Sequence, residues 1–147
     1  MLQKLEKRKY RIHLTGPGMS GRGVAFELLS PEAKRKSDEL AVQRLPKDAT
    51  GYQFFSSKLR EGVRSFLREV TDELELKSVF ETSDGKSPTW HTLTYSELTT
   101  PTNDYNLEDG GLFTPADIET LEALYKMHHE PNQDDVEKLF KGASPLA

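Results

Sequence analysis

The residues best spaced for chemistry in this chain are three glycines. Gly16, Gly18 and Gly21 form the pattern Gly-x-Gly-x-x-Gly directly after an alternating apolar stretch. That pattern is the fingerprint of a dinucleotide site, where glycines let backbone N–H groups close on a pyrophosphate ahead of a helix N-terminus. The context here differs. Val24, Phe26 and Leu28 alternate with Ala25 and Glu27, so a second strand follows the glycines, not a helix. Arg22 and Gly23 stand where a Walker loop requires Lys and Ser or Thr. Residues 16–23 are therefore expected to form a mobile hairpin tip, with a small nucleotide or phosphate site as the alternative reading.

The remaining polar clusters are weaker. His128 and His129 are adjacent, and neighbouring helical residues point about 100° apart, which makes a poor chelate. His13 and His91 stand alone, and the His-Glu-x-x-His pattern is absent. Asp104, Asn106 and Glu108 have the spacing of a calcium loop, but Asp109 occupies its glycine position and Pro115 its bidentate glutamate position. No nucleophile–base set stands out, so no catalytic residue, metal or cofactor is expected and the protein reads as non-enzymatic. Lys7, Arg8, Lys9 and Arg11 surround Tyr10 and could touch phosphates, together with Lys4. The acidic overall balance, a net charge of −4, leaves a nucleic-acid-binding regulatory role as a further alternative.

That net charge hides a division. Residues 1–75 carry 15 Lys and Arg against 11 Asp and Glu, whereas residues 76–147 carry 5 against 13. A molecule with a basic and an acidic end favours contact with an oppositely charged partner or head-to-tail contact with its own copies. The basic residues offered to such a contact are Lys7, Arg8, Lys9, Arg11, Arg22, Lys34, Arg35 and Lys36, with Met19 at the loop tip. Charged residues make up 30% of the chain and apolar ones 35%, which points to a thin core, long exposed faces, or segments that order only against a partner. There is no cysteine, hence no disulfide and no thiolate site. No apolar run is long enough to span a bilayer, and the first residues lack the apolar stretch of a secretory signal, so a cytoplasmic protein is expected.

The elements that must position these groups follow from periodicity. Tyr10, Ile12 and Leu14 alternate with polar neighbours, so residues 9–15 and 23–29 are expected to pair as antiparallel strands. Ser30 and Pro31 start a charged helix that runs to Leu45 and carries Ala33, Leu40, Ala41 and Leu45 as its apolar stripe. Phe55, Leu59, Val63, Phe66, Leu67, Val70 and Leu74 recur at spacings of three and four, which predicts one long amphipathic core helix over 52–76, with Arg60, Glu61, Arg64 and Arg68 turned to solvent. Residues 77–82 and 89–95 flank Asp84 and Gly85 as a second hairpin. A polar loop near 97–113 is long enough to be functional or disordered. Thr114 and Pro115 open a helix that ends at Pro131, and a last short helix spans 132–141. The expected fold is α+β with two β-hairpins and about four helices in the order ββααββαα. A basic tail (1–8) precedes the single domain (9–142), and a frayed tail (143–147) follows it.

The opening over residues 8–45 resembles the start of small tail-assembly and virion accessory proteins of tailed phages. What carries the likeness is an alternating strand, a glycine turn, a second strand, and then Leu28, Leu29, Ser30, Pro31 and Glu32 leading into a charged helix. The resemblance implies a protein-binding or assembly role in a phage-like particle, in the host cytoplasm or the virion, with a protein partner or a head-to-tail homo-oligomer.

Overall fold

The two alternating stretches become paired strands. A computed structural model of the chain describes residues 2–6, 8–71, 89–108 and 111–129. Strand β2 is Lys9–His13 and strand β3 is Gly23–Glu27. They run antiparallel with Tyr10 opposite Phe26 and Ile12 opposite Val24, so their bulky residues share one face. A further strand, β1 (Leu2–Glu6), pairs antiparallel with β2. The segment expected as a basic tail thus contains an edge strand. Arg8 turns the chain between β1 and β2 with φ of 70°.

Helix α1 (Pro31–Gln43) begins as expected, with the Ser30 side chain accepting from the Ala33 N–H and Pro31 at the first position. Helix α2 (Gly51–Phe66) is closed at its start by a reciprocal capping box between Thr50 and Gln53. It ends earlier than its periodicity predicts. Leu67 is already extended, and Leu67–Thr71 is strand β4, not helix. The spacing of Phe66, Leu67 and Val70 fits a helical stripe, but tertiary pairing decides the matter. Leu67 and Val70 pair with Phe26 and Val24 on one side, and β4 accepts strand β5 (Trp90–Thr92) on the other. The five strands of the described residues lie in the order β1-β2-β3-β4-β5, every pair antiparallel.

A short helix, α3 (Tyr95–Thr99), occupies part of the region expected as strand and loop, capped by Thr94 and Glu97. Helix α4 spans Pro115–His129. The loop between α3 and α4 buries Leu107 and Phe113, and the Asn106 amide group donates to the Asn103 and Pro101 carbonyls. Its described residues are folded. The expected strand at 77–82, its Asp84–Gly85 turn, the helix at 132–141 and the tail at 143–147 lie outside the described residues. So does Lys7. Over the described residues the fold is α+β: an antiparallel sheet with its helices packed around α2. Among the described residues no helix is long and apolar enough to cross a membrane.

The core is organised by a column of rings. Tyr10 stacks on Phe26 at 5.5 Å between centroids, Phe26 on Phe66 at 4.7 Å, and Phe66 meets Tyr125 edge-on at 5.4 Å. The column joins the sheet through α2 to α4, and each contact adds to the burial of large apolar area. Helix α1 packs on α2 through small residues, with Ser37 and Ala41 buried, while Leu40 from its expected stripe is 38% exposed. Burial along α2 begins only at Glu61. Phe55, expected in the core stripe, is 62% exposed because it lies on the first turns, ahead of the packed half.

Candidate functional site

Close approach of α1 and α2 encloses charges that periodicity assigns to solvent. Glu61 lies on the α2 face opposite the ring column and its side chain is wholly buried. Arg44, one residue past the end of α1, reaches back to it with Nε 3.0 Å from Oε1. Arg64, one turn further along α2 and also buried, lies 3.3 Å from the same oxygen. Arg64 pairs on its other side with Glu108 from the α3–α4 loop. Arg60 completes the group, pairing with Glu122 of α4 at 3.2 Å and donating to the Leu107 carbonyl at 2.8 Å. Tyr95 of α3 accepts a hydrogen bond of 2.6 Å from Arg44, whose guanidinium lies 5.8 Å from the ring centre.

The electrostatics are those of a crowded, partly dry site. Burial lowers the Arg64 pKa from its ordinary value, with Glu61 opposing that shift and the neighbouring Arg44 and Arg60 adding to it. Burial likewise raises the Tyr95 hydroxyl, reinforced by Glu61. Among the described residues, Glu61 Oε2 and Arg64 Nε are buried without a hydrogen-bond partner. Such an arrangement costs stability.

An open cavity of about 440 Å³ lies over this cluster. Arg44, Arg60 and Arg64 line it, with Glu108 as the one carboxylate among the described lining residues, and Tyr52 and Ser56 also line it. Tyr52 is 83% exposed, and Phe55 projects from the same first turns of α2. Val42 of α1, 51% exposed, follows Ala41, whose carbonyl accepts from Ser57 of α2. Tyr52, Leu45 and Pro46 thus line the arginine-walled hollow, with Phe55 one turn on from Tyr52 along α2.

The residues singled out in the sequence do not come together in this way. The Arg8 guanidinium is spent on the Leu28 and Leu29 carbonyls. Lys9 is exposed opposite Glu27 on the sheet. Arg11 lies over the Trp90 ring at 4.2 Å. Met19 packs against the core, and Arg22 is buried, donating to the Thr71 carbonyl at 2.7 Å. On α1, Lys34 pairs with Asp38, Arg35 with Glu39 and Glu32, and Lys36 with Glu32. The basic triplet is largely matched by acids on its own helix, so it does not present the free positive patch on which head-to-tail contact was argued.

The glycine loop is fastened, not a mobile tip. Met19 N donates to the Gly16 carbonyl, Gly21 N to the Leu14 carbonyl, Arg22 N to Ser20 Oγ, and Ser20 N to the buried Asp117 carboxylate of α4. Four successive amides are thus committed internally, which removes the donors a pyrophosphate cradle needs. The histidines also serve structure. His13 Nε2 lies 2.7 Å from the Gly21 carbonyl, and His129 Nε2 accepts from Leu29 N at 3.2 Å. His91 stacks on Tyr105 and pairs with Glu97 at 2.8 Å. Among the described residues no three potential ligands converge on a metal position.

Sequence reasoning missed Arg44, Glu61, Arg64 and Glu108. The one available signal was the Glu61–Arg64 pair at helical spacing, which looks the same whether it faces water or a neighbouring helix. In comparison with known proteins, the chain matches no family model, no curated protein and no solved structure.

Proposed function

We propose that the protein works by binding another protein and not by catalysis, and that the partner presents an apolar side chain beside an acidic one to the start of α2. The observation that carries this reading is the exposure of Tyr52, 83%, on the lining of a cavity walled by three arginines, with Phe55, 62% exposed, three residues further along the same helix. Aromatic residues and arginine are the groups enriched at the energetic centres of interfaces, and an apolar patch rimmed by charge is the usual form of a docking face. The arginines set the sign of the partner's charge, since among the described lining residues Glu108 alone opposes them. The likeness of residues 8–45 to tail-assembly and virion accessory proteins supports an assembly setting, as a component or assembly factor of a phage-like particle.

Selection of displayed random peptides on the immobilised protein tests this. The expected consensus places Asp or Glu next to Leu or Phe, and the selected peptides lose binding to a Tyr52→Ser/Phe55→Ser variant that keeps the wild-type circular dichroism. Absence of a consensus, or a consensus indifferent to that variant, sinks the reading. Sedimentation of the free protein decides whether the partner is a second copy: concentration-dependent association abolished by the same variant would replace the foreign segment with the chain itself.

A further inference from the structure

We infer that the cavity over Arg44, Arg60 and Arg64 is a carboxylate-binding subsite, and that Glu108 occupies it in the free protein as a stand-in for the ligand's acidic group. The inference deepens the docking reading above by naming the group the cavity takes and the contact that regulates it.

Charge balance selects the class of ligand. Three guanidinia here meet three carboxylates: Glu61, Glu108 and Glu122. Glu61 is wholly buried between its two arginines, and the Glu122 side chain is 22% exposed against Arg60. Glu108 is different. Its side chain is 45% exposed, it lines the cavity, and it approaches from a loop to pair with Arg64, whose own side chain is 4% exposed. Glu108 is the most exposed carboxylate of the three, and swinging into water leaves Arg64 as the unpaired buried cation that an incoming anion can satisfy. An incoming monoanionic carboxylate replaces it charge for charge. A phosphate dianion leaves an excess negative charge in a partly desolvated site, where such an excess is penalised. Arginine's planar fork is suited to carboxylate oxygens, and a buried guanidinium keeps its geometry while the loop residue leaves. Glu108 thus competes with the partner: the free protein pairs Arg64 internally, and a partner must displace that pair to dock.

The test uses acetate as the probe, titrated at fixed ionic strength into wild type and Glu108→Gln, with the arginine side-chain N–H resonances as the readout. In Glu108→Gln the Arg64 and Arg60 signals should move with acetate at a dissociation constant at least about tenfold lower than in wild type. Inorganic phosphate, titrated in parallel, should bind more weakly than acetate. Equal acetate affinity in the two proteins, unmoved Arg64 signals, or phosphate binding tighter than acetate each overturns the proposal. Glu108→Asp, which withdraws the carboxylate while keeping its charge, provides the second variant should the glutamine protein fold poorly, and it should fall between the other two. The Tyr52→Ser/Phe55→Ser substitutions separate the two readings. If acetate still binds in the Glu108→Gln background but peptide selection is indifferent to those aromatics, the subsite stands and the docking surface falls. If peptides depend on the aromatics but acetate does not compete, the reverse holds.

Discussion

Gly62 of α2 lies flat against the ring of Tyr125 in α4: a Cβ built on Gly62 would fall 2.2 Å from Tyr125 Cζ and 2.4 Å from both neighbouring ring carbons. No side-chain rotation of a wholly buried tyrosine relieves that contact, so the two helices approach as they do because position 62 has no side chain. Gly62→Ala should therefore cost about 3 kcal/mol by overpacking, despite alanine's better helix propensity. Denaturant unfolding of the single variants and of Gly62→Ala/Tyr125→Val measures this. The double variant should lose clearly less than the sum of the singles, because valine in place of Tyr125 vacates the space that the added methyl group needs.

Arg64 should behave as a core residue and not as a surface one. Periodicity places it on the solvent side of α2, where truncation would cost little, but it is 5% exposed and shares an oxygen of the buried Glu61 with Arg44. Arg64→Ala leaves Glu61 with one half-exposed cation, and breaking a buried pair from one side costs about 3–5 kcal/mol. Phe66→Ala, in the ring column, should cost about the same. Replacing both members, Glu61→Leu with Arg64→Leu, should recover most of the loss, since Arg44 is half-exposed and can turn to water. A small effect of Arg64→Ala in chemical denaturation would mean that the pair hydrates on its own.

The same helix shows where sequence reading succeeds and where it stops. Local signals were legible: Ser30 with Pro31, the alternation of Tyr10 with Ile12 and of Val24 with Phe26, and Thr114 before Pro115 all fall where the structure uses them. The end of α2 was not, because Phe66, Leu67 and Val70 satisfy a helical stripe and a buried strand equally, and only pairing with β3 and β5 separates the two. The edge strand β1 was hidden by its Lys4 and Glu6, which an edge tolerates. The site was the least legible part. A one-stripe helix reading assumes a single buried face, whereas α2 is packed against the sheet and α4 on one side and α1 on the other, so Glu61 and Arg64 are hidden by tertiary structure alone. The same assumption sent Phe55 into the core and left Tyr52 without a role.

Asp117 should hold the glycine loop in place. Its two oxygens accept from Ser20 N at 3.1 Å and Thr114 N at 3.0 Å, and the residue is fully buried. Asp117→Ala leaves both amides without their acceptor and should cost about 2–4 kcal/mol, given the worth of hydrogen bonds to a charged group. Amide exchange at Ser20 should accelerate well beyond the change in global stability. Asp117→Asn retains one acceptor oxygen and should lose roughly half as much. Unchanged Ser20 protection in Asp117→Ala would show that the loop is held by its own backbone hydrogen bonds.

Glu97 should make part of the stability depend on pH. Its hydrogen bond with His91, at 2.8 Å, holds the carboxyl below its ordinary value of 4.5, with the Thr94 N–H and hydroxyl adding to the effect against a smaller opposing contribution from burial. A carboxyl with a depressed folded value binds fewer protons in the native state than in the unfolded one between those two values. Stability from this group is therefore complete above the ordinary carboxylate range and is lost as pH falls through the folded value. Glu97→Gln is the clean comparison, because glutamine serves the Thr94 capping box as well as glutamate does and removes only the charge. Wild type should be the more stable at neutral pH, and the gap should close as the pH is lowered below 4.5. Denaturation midpoints of the two proteins across that interval provide the check. A gap that persists unchanged into strong acid would show that the contribution of Glu97 does not come from its ionised carboxylate.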